Sequence, residues 1–252
     1  MEHYQNKEPE SVNIIHRNIE YYVDKIKSKE PFAFARYGDG EWMTILGYYG
    51  MRNSNGCTFT KELGDDLRRV VFEQYPNFDY ALLRIAKRRM FHEIRAWYNK
   101  HGLTKDWLLG DFILRASLDA ELFPLIDAMR TRRILYVGPL HCRRLHEDFF
   151  SLVGFVQPPP LNAHKNIEEI RKEVFEKIEG KDVDLVGVSA GLAAKVLIGD
   201  IWEHCQHNVS IVDFGSIWDG YFGVPSRSYI RRGNNDFKTL KKFNTGVVNV
   251  KN

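Results

Sequence analysis

Short apolar runs, each closed by a turn and followed by a longer helical pattern, recur along this chain and limit what it can fold into. Such runs predict strands at 32–35, 80–85, 133–137, 155–156, 183–188 and 210–212. Between them lie helical patterns at 41–48, 61–74, 88–101, 115–130, 141–152, 167–178 and 192–204. At the start, Val12, Ile15, Ile19, Tyr22 and Ile26 step by three and four residues, which predicts a helix over about 10–28. Asn166 with Glu169 has the spacing of a capping box at a helix start. Strands alternating with helices of this length predict an α/β fold, a mainly parallel sheet with helices on both faces.

No repeat, low-complexity tract or flexible linker divides the sequence, so a single domain over 1–252 is expected, with a basic C-terminal tail at about 233–252. Hydrophobic residues at 44% and charged residues at 27% are ordinary for a globular chain and argue against disorder. No apolar run reaches the roughly 18 residues of a membrane span, and the first residues do not form a signal peptide. Three widely spaced cysteines, Cys57, Cys142 and Cys205, fit neither a disulfide framework nor a metal knuckle and point to a reducing, cytoplasmic setting.

Parallel sheets bind ligands beyond the carboxyl ends of their strands. Four loops are expected there: Gly38-Asp39-Gly40-Glu41, Gly138-Pro139-Leu140-His141, Ser189-Ala190-Gly191 and Asp213-Phe214-Gly215-Ser216. In extended backbone, Asp39 and Glu41 would point the same way and could share a hard cation, Mn²⁺ or Mg²⁺. Gly38 would admit a phosphate close to the main chain, and Arg36 could pair with its oxygens. The competing reading is that Asp39 caps a helix beginning near Gly40, with Glu41 favourable in its first turn. Ser189 and Gly191 would leave helix amides open to an anion, or else serve close packing. Gly138 and His141 form a similar turn, where His141 could touch a ligand or simply face solvent. Neither G-x-G-x-x-G nor a P-loop pattern occurs.

The stretch 213–229 is long, aromatic and glycine-rich, as functional loops are. Trp218, Tyr221 and Phe222 could stack on a sugar or base, Asp219 could take a proton from a hydroxyl, and Arg227 could neutralise a departing phosphate. The same aromatics could equally close the core over a sheet edge.

At Arg36, Tyr37, Gly38, Asp39, Gly40 and Glu41 the chain resembles the GT-D type glycosyltransferases, a bacterial and phage group with a Rossmann-like fold and an Asp-x-Glu motif in this setting. The resemblance extends to Val137-Gly138-Pro139, to residues 186–191 and to Asp213-Phe214-Gly215. It implies a hexosyltransferase-type enzyme using a nucleotide sugar, UDP-linked, with Asp39 and Glu41 at a divalent ion. Catalytic roles then fall to Asp219, Glu41 and Arg227, and donor contacts to Arg36, Gly38, Gly138, His141, Ser189 and Gly191. Some members carry a Gly-His-x-Asp-x-Glu pattern after the last strand. This chain instead reads Gly215-Ser216-Ile217-Trp218-Asp219, so the base at Asp219 is assigned by neighbourhood.

The expected acceptor is a glycan or glycoprotein. Basic clusters at Arg84, Lys87, Arg88 and Arg89, at Arg130, Arg132 and Arg133, at Arg143 and Arg144, and in 227–242 raise an alternative. If they shared one face they could track a nucleic-acid backbone, as in an enzyme that glycosylates hydroxymethylated DNA. A net charge of +3 is too small to decide this. A non-catalytic nucleotide- or nucleic-acid-binding module is the third reading.

Overall fold

In the computed structural model, which describes residues 13–233 and 235–247, the apolar runs lie side by side in one eight-stranded, all-parallel sheet. The first half of the chain supplies β1 (Ile14–Ile15), α1 (Ile19–Ser28), β2 (Ala33–Tyr37), α2 (Asp39–Ile45), α3 (Lys61–Glu73), β3 (Phe78–Leu82), α4 (Arg84–Lys100) and β4 (Trp107–Leu109). Then come α5 (Phe112–Leu118), α6 (Phe123–Met129), β5 (Ile134–Val137), α7 (Leu145–Asp148), β6 (Leu152–Val156) and α8 (Ile167–Lys181). The chain continues through β7 (Leu185–Val188), α9 (Ala193–His204), β8 (Ser210–Asp213), α10 (Ser228–Arg231) and α11 (Phe237–Asn244).

The strand order is β1-β4-β3-β2-β8-β7-β5-β6. Apolar side chains of α2, α3, α4, α8 and α9 cover one face of the sheet, and those of α1, α5, α6 and α7 cover the other. Burial on both faces is why the strands read as continuous apolar runs rather than as alternating ones. Helix α9 is the extreme case: every residue from Ala193 to Trp202 is buried, including Lys195 and Asp200. Asp200 is held between Arg69 and Arg171, and Lys195 is taken up below.

This topology positions the candidate site. Four consecutive strands of the sheet, in order β2, β8, β7 and β5, are the four whose carboxyl ends carry the loops singled out above. After β2 and β7 the chain turns to the α9 face, and after β8 and β5 it turns to the other face. Loops leaving adjacent strands to opposite faces open a crevice between them.

Several local expectations are corrected. Helix α1 begins at Ile19, where the Asn18 side chain accepts the Tyr21 N–H, and Ile14 and Ile15 instead pair with β4 as an edge strand. Val12 lies outside the described residues. The short strand β4, Trp107–Leu109, carries no periodic signal of its own and was not expected; it forms because β3 offers it an edge. The helix expected at 115–130 is two, α5 and α6, separated by a turn in which Ala120 is left-handed (φ 61). The helix expected at 141–152 is shorter and in two parts, a 3₁₀ turn at Leu140–Arg144 followed by α7, and the chain enters β6 at Leu152. Asn166 occupies the start of α8 but its side chain caps nothing. The tail expected at 233–252 contains α11, whose Asn244 is fully buried and donates to Ser117 and Tyr221; residues 234 and 248–252 lie outside the described ones. Among the described residues, no helix is long and apolar enough to cross a membrane.

Candidate active site

The carboxyl ends of β2 and β8 meet over a buried group of four charges. Lys195, in the first turn of α9, places its Nζ 2.9 Å from Glu41 Oε1 and 2.9 Å from Asp213 Oδ2. Arg36 Nη2 stands 3.6 Å from Asp213 Oδ1, and the Arg36 backbone N–H donates to Asp213 Oδ2 at 3.1 Å. The Gly215 N–H donates to Asp213 Oδ1 at 2.9 Å, and the Gly38 N–H to Glu41 Oε2 at 2.9 Å. All four side chains are buried, Asp213 completely.

Two cations and two carboxylates make the group neutral, which is what permits it to be buried at all. Burial by itself would raise the Asp213 pKa, but Lys195 and Arg36 outweigh it and hold the carboxyl below its ordinary 3.8. For Lys195, burial works to lower the pKa, and Asp213 and Glu41 overcome it to hold the ammonium above its ordinary 10.5. Both groups therefore stay charged through neutral pH.

This arrangement revises the reading of the Arg36–Glu41 segment. The extended backbone stops at Gly38: α2 starts at Asp39, so the premise that Asp39 and Glu41 point the same way along an extended chain fails. The cap position is Gly38, not Asp39, and Glu41 reaches back from the third helical residue to the Gly38 amide. Glu41 has both oxygens engaged, whereas Asp39 stays on the rim, paired with Arg89 at 3.3 Å. Among the described residues, no three His, Cys, Asp or Glu side chains gather to hold a metal ion. The ligands on offer are thus one accessible carboxylate, Asp39, and one committed to Lys195. Arg36 is likewise turned inward, and its Nε is buried without a partner.

A second constellation lies across the crevice. His141, on the 3₁₀ turn after β5, bonds through Nε2 to Asp219 Oδ1 at 2.8 Å, and Ser226 Oγ donates to Asp219 Oδ2. Beside it the Tyr136 hydroxyl pairs with Ser189 Oγ at 2.6 Å. Ser189 is therefore engaged with a strand residue, and a Cβ on Gly138 would stand 2.8 Å from the Tyr136 ring and 3.2 Å from the Ser189 side chain. Close packing, rather than an open anion seat, accounts for that glycine. Gly191 differs: it is exposed, left-handed at φ 59, and has open space where a Cβ would be.

Arg227 joins the two sides. Its Nε donates to Ser216 Oγ at 3.0 Å and its Nη1 to Asn55 Oδ1 at 3.2 Å, linking the loop after β8 to the loop over α2. Trp218 and Tyr221 cannot stack on a ligand, because both are buried in the core against Phe149. Phe222 is half-buried and packs beside His141, with ring centroids 6.1 Å apart.

The residues that sequence reasoning missed are Lys195, Asp213 as a buried anchor, Ser226 and Asn55. Lys195 and Asp200 did leave a signal. They are the two charges in the otherwise apolar run Ala193–Trp202, and a charge in such a run must find a buried partner. The strands of β2 and β5 lie three spacings apart in the sheet, about 14 Å. No protein-family model, no curated protein and no solved structure matches this chain.

Proposed function

We propose that the chain is a glycosyltransferase of the GT-D type that moves a sugar from a nucleotide-diphosphate donor, UDP-linked, to a hydroxyl of a glycan or glycoprotein acceptor. The observation that carries this reading is the Arg36–Glu41 segment at the carboxyl edge of central strand β2, braced from below by Lys195 and Asp213. Bracing of this kind holds a binding loop in one geometry before its ligand arrives, which is what transition-state stabilisation needs. Arg227 and Arg89 stand at the rim, where a leaving diphosphate would need cations.

A divalent ion at this rim would rest on Asp39. Asp39 would hold Mg²⁺ or Mn²⁺ there, since its only side-chain partner is Arg89 at the exposed rim and that pairing can give way to an ion. Glu41 does not fit as a ligand while Lys195 and the Gly38 amide occupy it. When bound, the ion would neutralise charge developing on the diphosphate.

Release of nucleoside diphosphate from a panel of nucleotide sugars, with and without Mn²⁺, tests the reading. Asp39→Asn is expected to lower metal-dependent release by about 10²-fold. Its side chain is on the rim and makes one exposed ion pair, so the melting temperature should barely move. Unchanged release would remove Asp39 from the ion.

One observation favours the alternative reading, in which hydroxymethylated DNA is the acceptor instead. Helix α4 presents Arg84, Arg88 and Arg89 to solvent beside Asp39, with no acid in its first turn. The cluster at Arg130, Arg132 and Arg133 does not contribute, since it lies before β5 at the opposite end of the sheet and is tied to Phe149 O, Asp184 and Asp182. A DNA acceptor would bind less tightly by orders of magnitude between low and physiological salt; a neutral glycan would not.

A further inference from the structure

We propose that His141, rather than Asp219, takes the proton of the acceptor hydroxyl, with Asp219 and Ser226 as its positioning residues; this rests on the transfer reading above. A carboxylate only accepts hydrogen bonds, so the nitrogen facing Asp219 at 2.8 Å, Nε2, carries the ring proton. That leaves Nδ1 as the basic nitrogen. Among the described residues Nδ1 has no partner and is not a buried unpartnered atom, so it is open to solvent or a substrate hydroxyl. Asp219, by contrast, is 7% exposed and has both oxygens committed, one to His141 and one to Ser226. Its backbone is pinned as well, with its C=O accepting from Phe222 and Val224.

The order of the three groups decides their chemistry. The carboxylate lies between serine and imidazole, and the serine hydroxyl donates to it. Ser226 is therefore not activated by the histidine, which excludes an acyl-transfer triad and leaves a histidine base oriented by a carboxylate. The other charged and titratable groups around the ring are Arg144 and Lys241, both over Phe222, and the buried Cys142 thiol, which burial pushes up and keeps protonated. None of them touches the imidazole. In the transfer step the hydroxyl proton passes to Nδ1, the acceptor oxygen forms a bond to the anomeric carbon, and the bond to the diphosphate oxygen breaks with its electron pair. The imidazolium so formed faces the Asp219 carboxylate.

Nitrogen-15 NMR of the histidine-labelled protein reads the tautomer without turnover. The expected result is Nε2–H with a bare Nδ1 at His141 in the wild type, and a shift toward Nδ1–H in Asp219→Asn, whose amide can donate. A wild-type Nδ1–H tautomer would overturn the assignment. In kinetics, His141→Gln is expected to lose about 10²–10⁴-fold in transfer; a base role, in place of the donor contact that the family resemblance implies for this residue, puts the loss in kcat, and a loss confined to UDP affinity would restore the donor contact and overturn the base. Azide, a nucleophile with no proton to lose, should restore turnover in His141→Gln by forming the glycosyl azide. Wild-type transfer by His141→Gln, or a loss that azide leaves untouched, would sink the base role. Absence of any nucleotide-sugar turnover in the wild type, with the Nε2–H tautomer present, would instead overturn the transfer reading and take the base role with it.

Discussion

Lys195→Met is expected to destabilise the protein by about 3–5 kcal/mol, the range seen when one partner of a buried ion pair is removed. The variant keeps the volume of the side chain, so the loss is electrostatic rather than a cavity. It strips Glu41 of its ionic partner and leaves Asp213 with Arg36 alone, 3.6 Å away. Glu41→Gln in the Lys195→Met background should recover part of the loss, because the buried carboxylate is then uncharged; coupling between neighbours of this kind runs to about 0.5–3 kcal/mol. Chemical denaturation of the wild type, both single variants and the double variant measures it. Equal midpoints for the wild type and Lys195→Met would mean that the four charges do not hold the crevice floor together.

The same group fixes a pH window. Asp213 has its pKa depressed in the fold, so its contribution is present above the unfolded value of 3.8 and is lost as pH falls through the lower folded value. Lys195 has its pKa raised, so its contribution is present below 10.5 and is lost as pH rises through the higher folded value. In the wild type these two contributions should therefore be intact between about pH 5 and pH 10 and be lost beyond both ends, as denaturation across pH would read. A steady fall in wild-type stability across neutral pH would point to some other titrating group.

Sequence reasoning reached the layers of this fold because each layer is specified locally. A strand such as Ile134–Val137, buried on both faces, must be apolar throughout, and the helices between strands keep their own period. It failed where pairing partners decide the outcome. Trp107–Leu109 becomes a strand only because β3 lies alongside, and Ile14–Ile15 only because β4 does. The site shows the same division. The four loops were legible because they end strands, but their roles depend on neighbours far apart in sequence: Lys195 reaches Glu41 across more than half the chain, and His141 meets Asp219. Arg36 and Glu41 look like ligand-facing groups in isolation. Their burial follows from Asp213 and Lys195, which no local pattern around residue 36 announces.

Gly215→Ala should be the most damaging small substitution at the site, and its comparison with Gly191→Ala separates two causes. Both glycines are left-handed, at φ 53 and φ 59, a conformation that costs a non-glycine residue roughly 1–2 kcal/mol. Around Gly191 nothing lies within 4 Å of an added Cβ, so Gly191→Ala should lose only that backbone term. Around Gly215 the added Cβ would fall 1.9 Å from Arg36 Nη2, a distance at which the guanidinium must shift. Arg36 is buried, so it has little room to shift, and displacing it would weaken its pairing with Asp213 and leave that carboxylate leaning on Lys195. The expected loss in Gly215→Ala is the backbone term plus about 1–3 kcal/mol for the weakened buried charge. Because Arg36 begins the Arg36–Glu41 segment, nucleotide-sugar affinity should fall along with stability. In Gly191→Ala, affinity should fall only if the amides beside that residue hold the diphosphate. Denaturation and UDP binding measured on both variants resolve this. Equal losses of stability would mean that Arg36 can move aside without cost, and would remove the buried charges as the reason that residue 215 is glycine.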